Sequence, residues 1–142
     1  MTTEKAPSLE YLAGFFDGDG CICIYKQRNP NMARGHSYRL YISVTQKAPL
    51  ILEVFKAQWG GSIHDRSKYA NIWMAYGQSA LKALKELAPH LILKREEALL
   101  AISFQTEKTE RKNRRCTRLT ESEFASDEAA CLKMRGLKDG RR

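Results

Sequence analysis

The sequence lacks the features of membrane, secreted and zinc-binding proteins. No apolar run approaches the length of about 20 residues that spans a bilayer, and the N-terminus has no secretory h-region. The four cysteines, Cys21, Cys23, Cys116 and Cys131, form no Cys-x-x-Cys pair and have no histidine at zinc-finger spacing. These absences predict a soluble, intracellular protein with no membrane partner, in a reducing compartment that the sequence does not identify.

Acidic residues are missing from one long stretch. No Asp or Glu occurs between Gly20 and Leu52, although five Lys and Arg residues do, and the whole chain carries a formal charge of +8. This balance favours a polyanionic partner or an acidic membrane surface. A second basic stretch, residues 105–118, is interpreted either as a clamp on phosphates or as a solvated linker.

The hydrophobic pattern predicts one domain over residues 1–142, with a core at about 8–105 and a basic, helical extension at about 106–142. Predicted strands cover residues 21–28, 37–45, 62–66 and 71–76. The first predicted helix ends at Gly20, and three more cover residues 50–59, 78–87 and 91–105. The last predicted helix runs from a capping box at Thr120 to near Gly136. This α+β order, αββαββα plus an extension, gives four antiparallel strands with helices on one face and leaves the other face free.

Alternation along the strands assigns side chains to the free face. Ile63, Ile72, Met74 and Tyr76 suit the core. The free face is predicted to be polar and basic, and a two-stranded ribbon of this kind fits the major groove of DNA. Arg39 and Arg66 are candidates for guanine, Gln27 and Asn71 for adenine; the alternative is an ordinary solvated sheet face. The candidate DNA-binding residues are Cys23, Tyr25, Gln27, Arg28, Ser37, Arg39, Tyr41, Ser43, Ser62, His64, Arg66, Asn71 and Trp73.

Residues 12–20, with the sequence LAGFFDGDG, combine an apolar helix with two glycines and two carboxylates. Gly14 and Gly18 are four residues apart and therefore share one side of the helix, which favours close approach of a second helix. Asp17 and Asp19 lie at the C-terminal end, where the helix dipole disfavours negative charge and a bound cation would be stabilising. The alternative is a buried helix that ends in an acidic loop.

This stretch resembles the signature of the LAGLIDADG homing endonucleases, single-motif homodimeric subgroup, and residues 44–47 and 89–100 also resemble that group. The resemblance implies a saddle-shaped sheet that lies along double-stranded DNA. It also implies a homodimer in which the two signature helices meet at a two-fold axis. The implied interface residues are Leu12, Ala13, Gly14, Phe15 and Gly18.

The resemblance further implies catalytic roles for Asp19, Gln46 and Lys94. Asp19 and the carbonyl of Gly18 would hold Mg²⁺, with Ca²⁺ or Mn²⁺ as substitutes in vitro, whereas Asp17 would be structural. The sequence departs from these relatives at Leu50, where they carry a basic residue. Lys47 or Arg95 is a possible replacement.

The implied activity is metal-dependent, site-specific cleavage of a long pseudo-palindromic DNA site, across the minor groove and with 3′ overhangs, in the service of intron mobility. The alternative is a non-cleaving nucleic-acid-binding protein on the same scaffold, an RNA maturase or a transcription regulator. The target site and the host genome, whether archaeal, bacterial or organellar, are not evident from the sequence.

Overall fold

The structure, a computed structural model, describes residues 6–32, 34–68, 70–112 and 119–141. Within these ranges the predicted element order αββαββα plus a helical extension is confirmed. The elements are α1 (Leu9–Asp19), β1 (Gly20–Arg28), β2 (His36–Gln46), α2 (Leu50–Trp59), β3 (Ser62–Ser67), β4 (Ala70–Tyr76), α3 (Gly77–Leu87), α4 (Arg95–Lys112) and α5 (Glu121–Arg141). A single 3₁₀ turn, Ala88–His90, connects α3 to the segment before α4.

The four strands form one antiparallel sheet in the order β1-β2-β4-β3. Alternate residues of β1 and β2 are fully buried, among them Ile22, Ile42 and Val44. They pack against apolar side chains of the helices such as Phe16 and Phe55 in one hydrophobic core. The remaining strand residues lie on the opposite face, where most side chains keep some exposure. We call this opposite side the open face.

Local signals in the sequence set the ends of several elements. The Ser8 hydroxyl accepts a hydrogen bond from the Tyr11 N–H at 3.1 Å and caps α1. Thr120 and Glu123 form the predicted capping box, each side chain accepting from the other residue's N–H. Gly61 has φ of 87°, and a Cβ there would lie 2.4 Å from the Met74 carbonyl oxygen, so only glycine fits this turn.

Two helices differ from the prediction. Helix α4 begins at Arg95 rather than near residue 91, because the three preceding backbone N–H groups bind a side chain of α1 instead of continuing a helix. Helix α5 continues past Gly136 to Arg141. None of the helices in the described ranges combines the length and the apolar character of a membrane span.

The beginning of the basic stretch joins α4 to α5. Arg111 makes a bidentate pair with Asp127, at 2.9 and 3.0 Å, and is within 3.3 Å of Glu123 and 3.6 Å of Glu107. The Lys108 ammonium donates to the Tyr38 carbonyl. Both interpretations of this stretch are therefore wrong for Lys108 and Arg111, which stabilise the fold. Residues 113–118 lie outside the described ranges.

Replacing Arg111 with methionine should remove this connection. The Asp127 carboxylate is 5% exposed and would be left buried without its partner, so we expect a loss of about 3–5 kcal/mol of unfolding free energy, measured by urea denaturation. Glu121→Gln is the matched control, because its pair with Arg34 is exposed and should cost less than about 1 kcal/mol. Equal losses in the two variants would contradict a structural role for Arg111.

Candidate active site and nucleic-acid interface

The candidate catalytic centre lies where α1 ends and the sheet begins. Asp19 is the last residue of α1, and its carboxylate is exposed. Gln46, the last residue of β2, donates its amide N–H to Asp19 Oδ2 at 2.6 Å. Antiparallel pairing of β1 with β2 brings these two residues together across 27 positions of sequence. The structure therefore unites two of the three residues that the resemblance marked as catalytic.

Asp17 has the structural position that the sequence analysis expected. Its carboxylate is buried and accepts hydrogen bonds from the backbone N–H groups of Ile92, Leu93 and Lys94, at 2.9 to 3.1 Å. Burial raises the pKa of this carboxyl, but the three N–H donors and the Lys94 charge outweigh it, so the net pKa is below its usual value. Asp17 thus ties the end of α1 to the chain entering α4.

Lys94 is buried, with 3% of its surface exposed, and its ammonium donates to the backbone carbonyl of Asp17. Lys94 therefore precedes α4 as a buried residue and is not a solvated lysine on a helix surface. The ammonium therefore contacts the backbone of the last turn of α1, two residues before Asp19.

Helix α1 has one side without neighbours in the described part of the chain. A Cβ added to Gly14 or Gly18 would meet no atom within 4 Å, and Tyr11 on the same side is 56% exposed. Leu12 and Ala13, by contrast, are 1% and 0% exposed within the chain's own core. Their prediction as dimer-interface residues is therefore wrong, since a side chain already buried in its own core cannot be shared with a second helix.

The open face collects most of the predicted DNA-binding residues. Strand alternation and register place side chains from β1, β2 and β3 on this face. Aromatic contacts connect strands β1, β2 and β4 in the middle of the open face. The Tyr41 ring centroid lies 5.3 Å from that of Tyr25 and 6.0 Å from that of Tyr76. Burial and a hydrogen bond with Cys23 raise the pKa of Tyr41, so its hydroxyl stays protonated at physiological pH. The residues placed here as predicted are Cys23, Tyr25, Gln27, Ser37, Arg39, Tyr41, Ser43, Ser62 and His64.

Strand β4 has the opposite orientation to the one predicted. Trp73 pairs with Val44, is completely buried, and donates its indole N–H to the Gly60 carbonyl at 2.8 Å. Asn71 shares that face and donates to the Lys47 carbonyl at 3.1 Å. Ile72, Met74 and Tyr76 consequently lie on the open face rather than in the core.

Two basic residues also depart from the prediction. Arg28 shares the face of Ile22 and Ile24 in β1 and so lies on the helix-covered side, near the strand end. Arg66 falls at an irregularity of the β3–β4 pairing between Asp65 and Ser67, where it has no register partner. Arg39 is therefore the basic residue that the regular pairing places on the open face.

The described residues of one chain do not form a complete metal site. The described residues contain no group of three or more His, Cys, Asp or Glu side chains that could hold an ion. Asp19 offers an exposed carboxylate, and backbone carbonyls at the end of a helix, including that of Gly18, lack intrahelical donors. Mg²⁺ commonly binds through one or two carboxylates and substrate phosphates. These donors therefore fit a divalent cation whose remaining ligands come from outside this chain.

Comparison with known proteins agrees with this geometry. The sequence model of the LAGLIDADG endonuclease family matches residues 12–95, more than half of the 142-residue chain. The chain belongs to the LAGLIDADG endonuclease family. The match includes Asp19, Gln46 and Lys94. No curated protein matches the chain significantly.

Solved homing endonucleases share the fold. I-CvuI, crystallised with the I-CreI target DNA and Mg, superimposes with a TM-score of 0.78 at 24% identity, over 91% of this chain and 80% of that one. The archaeal intron-encoded I-Vdi141I, in complex with DNA, gives 0.77 at 15% identity, over 91% and 82%. I-SmaMI bound to cleaved DNA gives 0.74 at 20% identity, over 87% of this chain but only 42% of that one.

The Asp17 anchor predicts a pH-dependent loss of stability. Because the pKa of Asp17 is lowered on folding, its stabilisation is full above the unfolded value of about 3.9 and disappears as pH falls through the folded-state pKa. Asp17→Asn should lose about 2–4 kcal/mol of unfolding free energy at pH 7, together with part of the acid dependence, as measured by urea denaturation from pH 7 to 2.

The control for that experiment is Glu10→Gln, a neutralised carboxylate that is exposed in the first turn of α1. It should cost no more than about 1 kcal/mol. If Asp17→Asn is as stable as this control at pH 7, the three N–H groups do not depend on the Asp17 charge.

Proposed function

We propose that this protein is a homodimeric, divalent-metal-dependent endonuclease that cuts both strands of a long, pseudo-palindromic DNA site and leaves 3′ overhangs, as in intron homing. The observation that carries the proposal is the exposed Asp19 carboxylate, held by Gln46 at the junction between an unpartnered helix side and the open face. Family membership supports the reaction class, and crystallised relatives with bound DNA support the substrate class.

A second copy of the chain is the partner that α1 fits. Two helices pack closely where small residues let their backbones approach, and the Gly14–Gly18 side offers such a surface. Ile92 and Leu93, 82% and 62% exposed, add apolar surface near the end of α1, to which their N–H groups are tied through Asp17. A two-fold axis through this surface would place the same patch on both chains and bring two Asp19 carboxylates together.

The side chains around Asp19 suit hydrolysis of a phosphodiester. A bound Mg²⁺ would neutralise phosphate charge and lower the pKa of a water molecule. Gln46 orients the carboxylate through its amide N–H, and its carbonyl oxygen can accept from the attacking water. In this proposal the buried Lys94 charge, in contact with the last turn of α1, offsets the negative charge of the phosphate.

Leu50 supplies no cation, since it is an exposed apolar side chain, 76% accessible. Of the two possible replacements, Arg95 donates to the Pro89 carbonyl at 3.3 Å. Lys47 is exposed and directly follows Gln46. We assign the missing positive charge to Lys47 because it adjoins Gln46 in the chain.

The open face would lie in the major groove, because a ribbon of antiparallel strands fits its width. A non-cleaving RNA maturase or a transcription regulator on this scaffold would also use that face. The Asp19–Gln46 hydrogen bond favours cleavage, since a protein that only binds has no use for an oriented carboxylate at this junction.

Asp19→Asn should bind DNA but not cut it. Sites are first selected with wild-type protein from a library of palindromic duplexes with randomised half-sites, in Ca²⁺. Wild type should then cleave the selected duplexes in Mg²⁺, and Asp19→Asn should cleave at least about 100-fold more slowly with similar affinity. Glu53→Gln, an exposed carboxylate on α2, is the control and should cleave normally. Selected DNA that wild type binds but never cuts would support the non-cleaving alternative.

Gly14→Leu should separate dimerisation from folding. The leucine meets open space within the chain and suits a helix better than glycine by about 1 kcal/mol, so the monomer should fold at least as stably. It should block close packing of α1 on its copy, giving a monomer in sedimentation equilibrium. Ala57→Leu, an exposed position on α2, should leave the dimer intact. A Gly14→Leu protein that remains dimeric would contradict the proposed axis.

A further inference from the structure

The register of the sheet arranges the open face in rows that cross the strands. One row contains Thr45, Ile72 and His64, and the next contains Cys21, Ser43, Met74 and Ser62. A third contains Cys23, Tyr41 and Tyr76, followed by Tyr25 with Arg39 and by Gln27 with Ser37. Neighbouring rows are two residues apart, which is about 6.6 Å along a strand. That spacing matches about two base pairs of a duplex.

The rows are ordered by their distance from the candidate centre. Strand β1 starts at Gly20, directly after Asp19, and β2 ends at Gln46, which binds Asp19. The first three rows are therefore the inner rows, close to the centre, and the rows of Arg39 and Gln27 are the outer rows. From Cys21 to Gln27 the strand extends about 20 Å.

The inner rows combine the apolar side chains of Ile72 and Met74 with cysteines, hydroxyl groups and the His64 imidazole. Ile72, Met74 and Cys23 are half-buried, and Ser43 is buried between its row neighbours. The Tyr76 hydroxyl is within 3.7 Å of Met74 Sδ. Within the described residues, these rows contain no carboxylate, ammonium or guanidinium group. Lys138 approaches Cys21 Sγ at 3.5 Å, but from α5, outside the edge strand.

The outer rows have the opposite chemistry. Arg39 donates to Gln27 Oε1 at 3.3 Å, and its guanidinium lies 5.3 Å from the Tyr76 ring centroid. These contacts hold the guanidinium over the open face. Because a guanidinium has five N–H donors, donors remain for a base edge.

The major groove of DNA presents chemical groups that match both the inner rows and the outer rows. The thymine methyl is the apolar group of the major groove, and guanine presents two acceptors that arginine binds with two hydrogen bonds. We propose that the inner rows recognise thymine methyl groups close to the cleavage centre, and that Arg39 recognises a guanine further out in each half-site. This inference rests on the proposed function and assigns its specificity to particular rows.

The first test determines the preferred site. Full-length protein in Ca²⁺ selects duplexes from a palindromic library with randomised half-sites. Enrichment of A·T pairs at inner positions and of guanine at one outer position supports the inference. Enrichment of G·C pairs at the inner positions overturns it and leaves the proposed function intact. Selection of no sequence at all overturns the proposed function and this inference with it.

The second test removes the methyl groups without altering the protein. Uracil in place of thymine at the inner positions of a selected site should weaken binding about fourfold for each methyl that is buried. The same replacement at outer positions should have no effect. Unchanged binding of the uracil-substituted inner site would overturn the proposal.

Two variants assign the readout to residues. Met74→Ala should abolish the effect of uracil at the position that faces its row, while the effect at the other inner positions and the outer guanine preference stay. Arg39→Met should reduce the outer preference by about tenfold or more and keep the effect of uracil. The reverse assignment, or an equal loss of both preferences in each variant, would contradict the separation into two zones.

Discussion

The bond between the Asp17 carboxylate and three consecutive backbone N–H groups fixes the geometry on which the site depends. A carboxylate at the C-terminal end of a helix opposes the dipole, and here the misfit is relieved by the donors of Ile92, Leu93 and Lys94. With Asp17 directed inward, Asp19 is left at the surface. One of the two acidic residues of LAGFFDGDG thus orients the other.

Helix α1 belongs to the core and to the candidate interface at the same time. Its buried side, with Leu12, Ala13 and Phe16, fixes the helix against the sheet. Its glycine side is left without neighbours in the described residues. Because the two sides share one rigid helix, the core determines where Asp19 stands relative to any second copy. A two-fold partner would therefore be placed by the same packing that folds the chain.

Much of the fold could be predicted from the sequence, and the failures have identifiable causes. The faces of β2 were correct because its alternate residues differ clearly in polarity. In β1 the open face was correct for Cys23, Tyr25 and Gln27 but not for Arg28, because Lys26 and Arg28 share the face of Ile22 and Ile24. The predicted orientation of β4 was wrong because Ile72, Met74 and Tyr76 are as apolar as Trp73 and Ala75. Only the pairing with β2 decides which set faces the core. The predicted start of α4 was wrong because it depends on the hydrogen bond from the Ile92 N–H to Asp17, which lies 75 residues earlier in the chain. Arg111 was predicted to be a charge in a clamp or a solvated linker, although it pairs with the buried carboxylate of Asp127.

The distribution of charge separates the residues that would give affinity for DNA from those that would give specificity for its sequence. The chain carries a net charge of +8, yet the rows of the open face nearest Asp19 are neutral. Arg28 lies on the opposite side of the sheet, and Lys47 and Lys138 lie at its margins. Phosphate contacts give affinity without sequence information, whereas base edges give specificity. With these cations away from the inner rows, the sheet can bind a duplex electrostatically at its margins, while the choice of sequence depends on methyl contacts near Asp19 and on Arg39 further out.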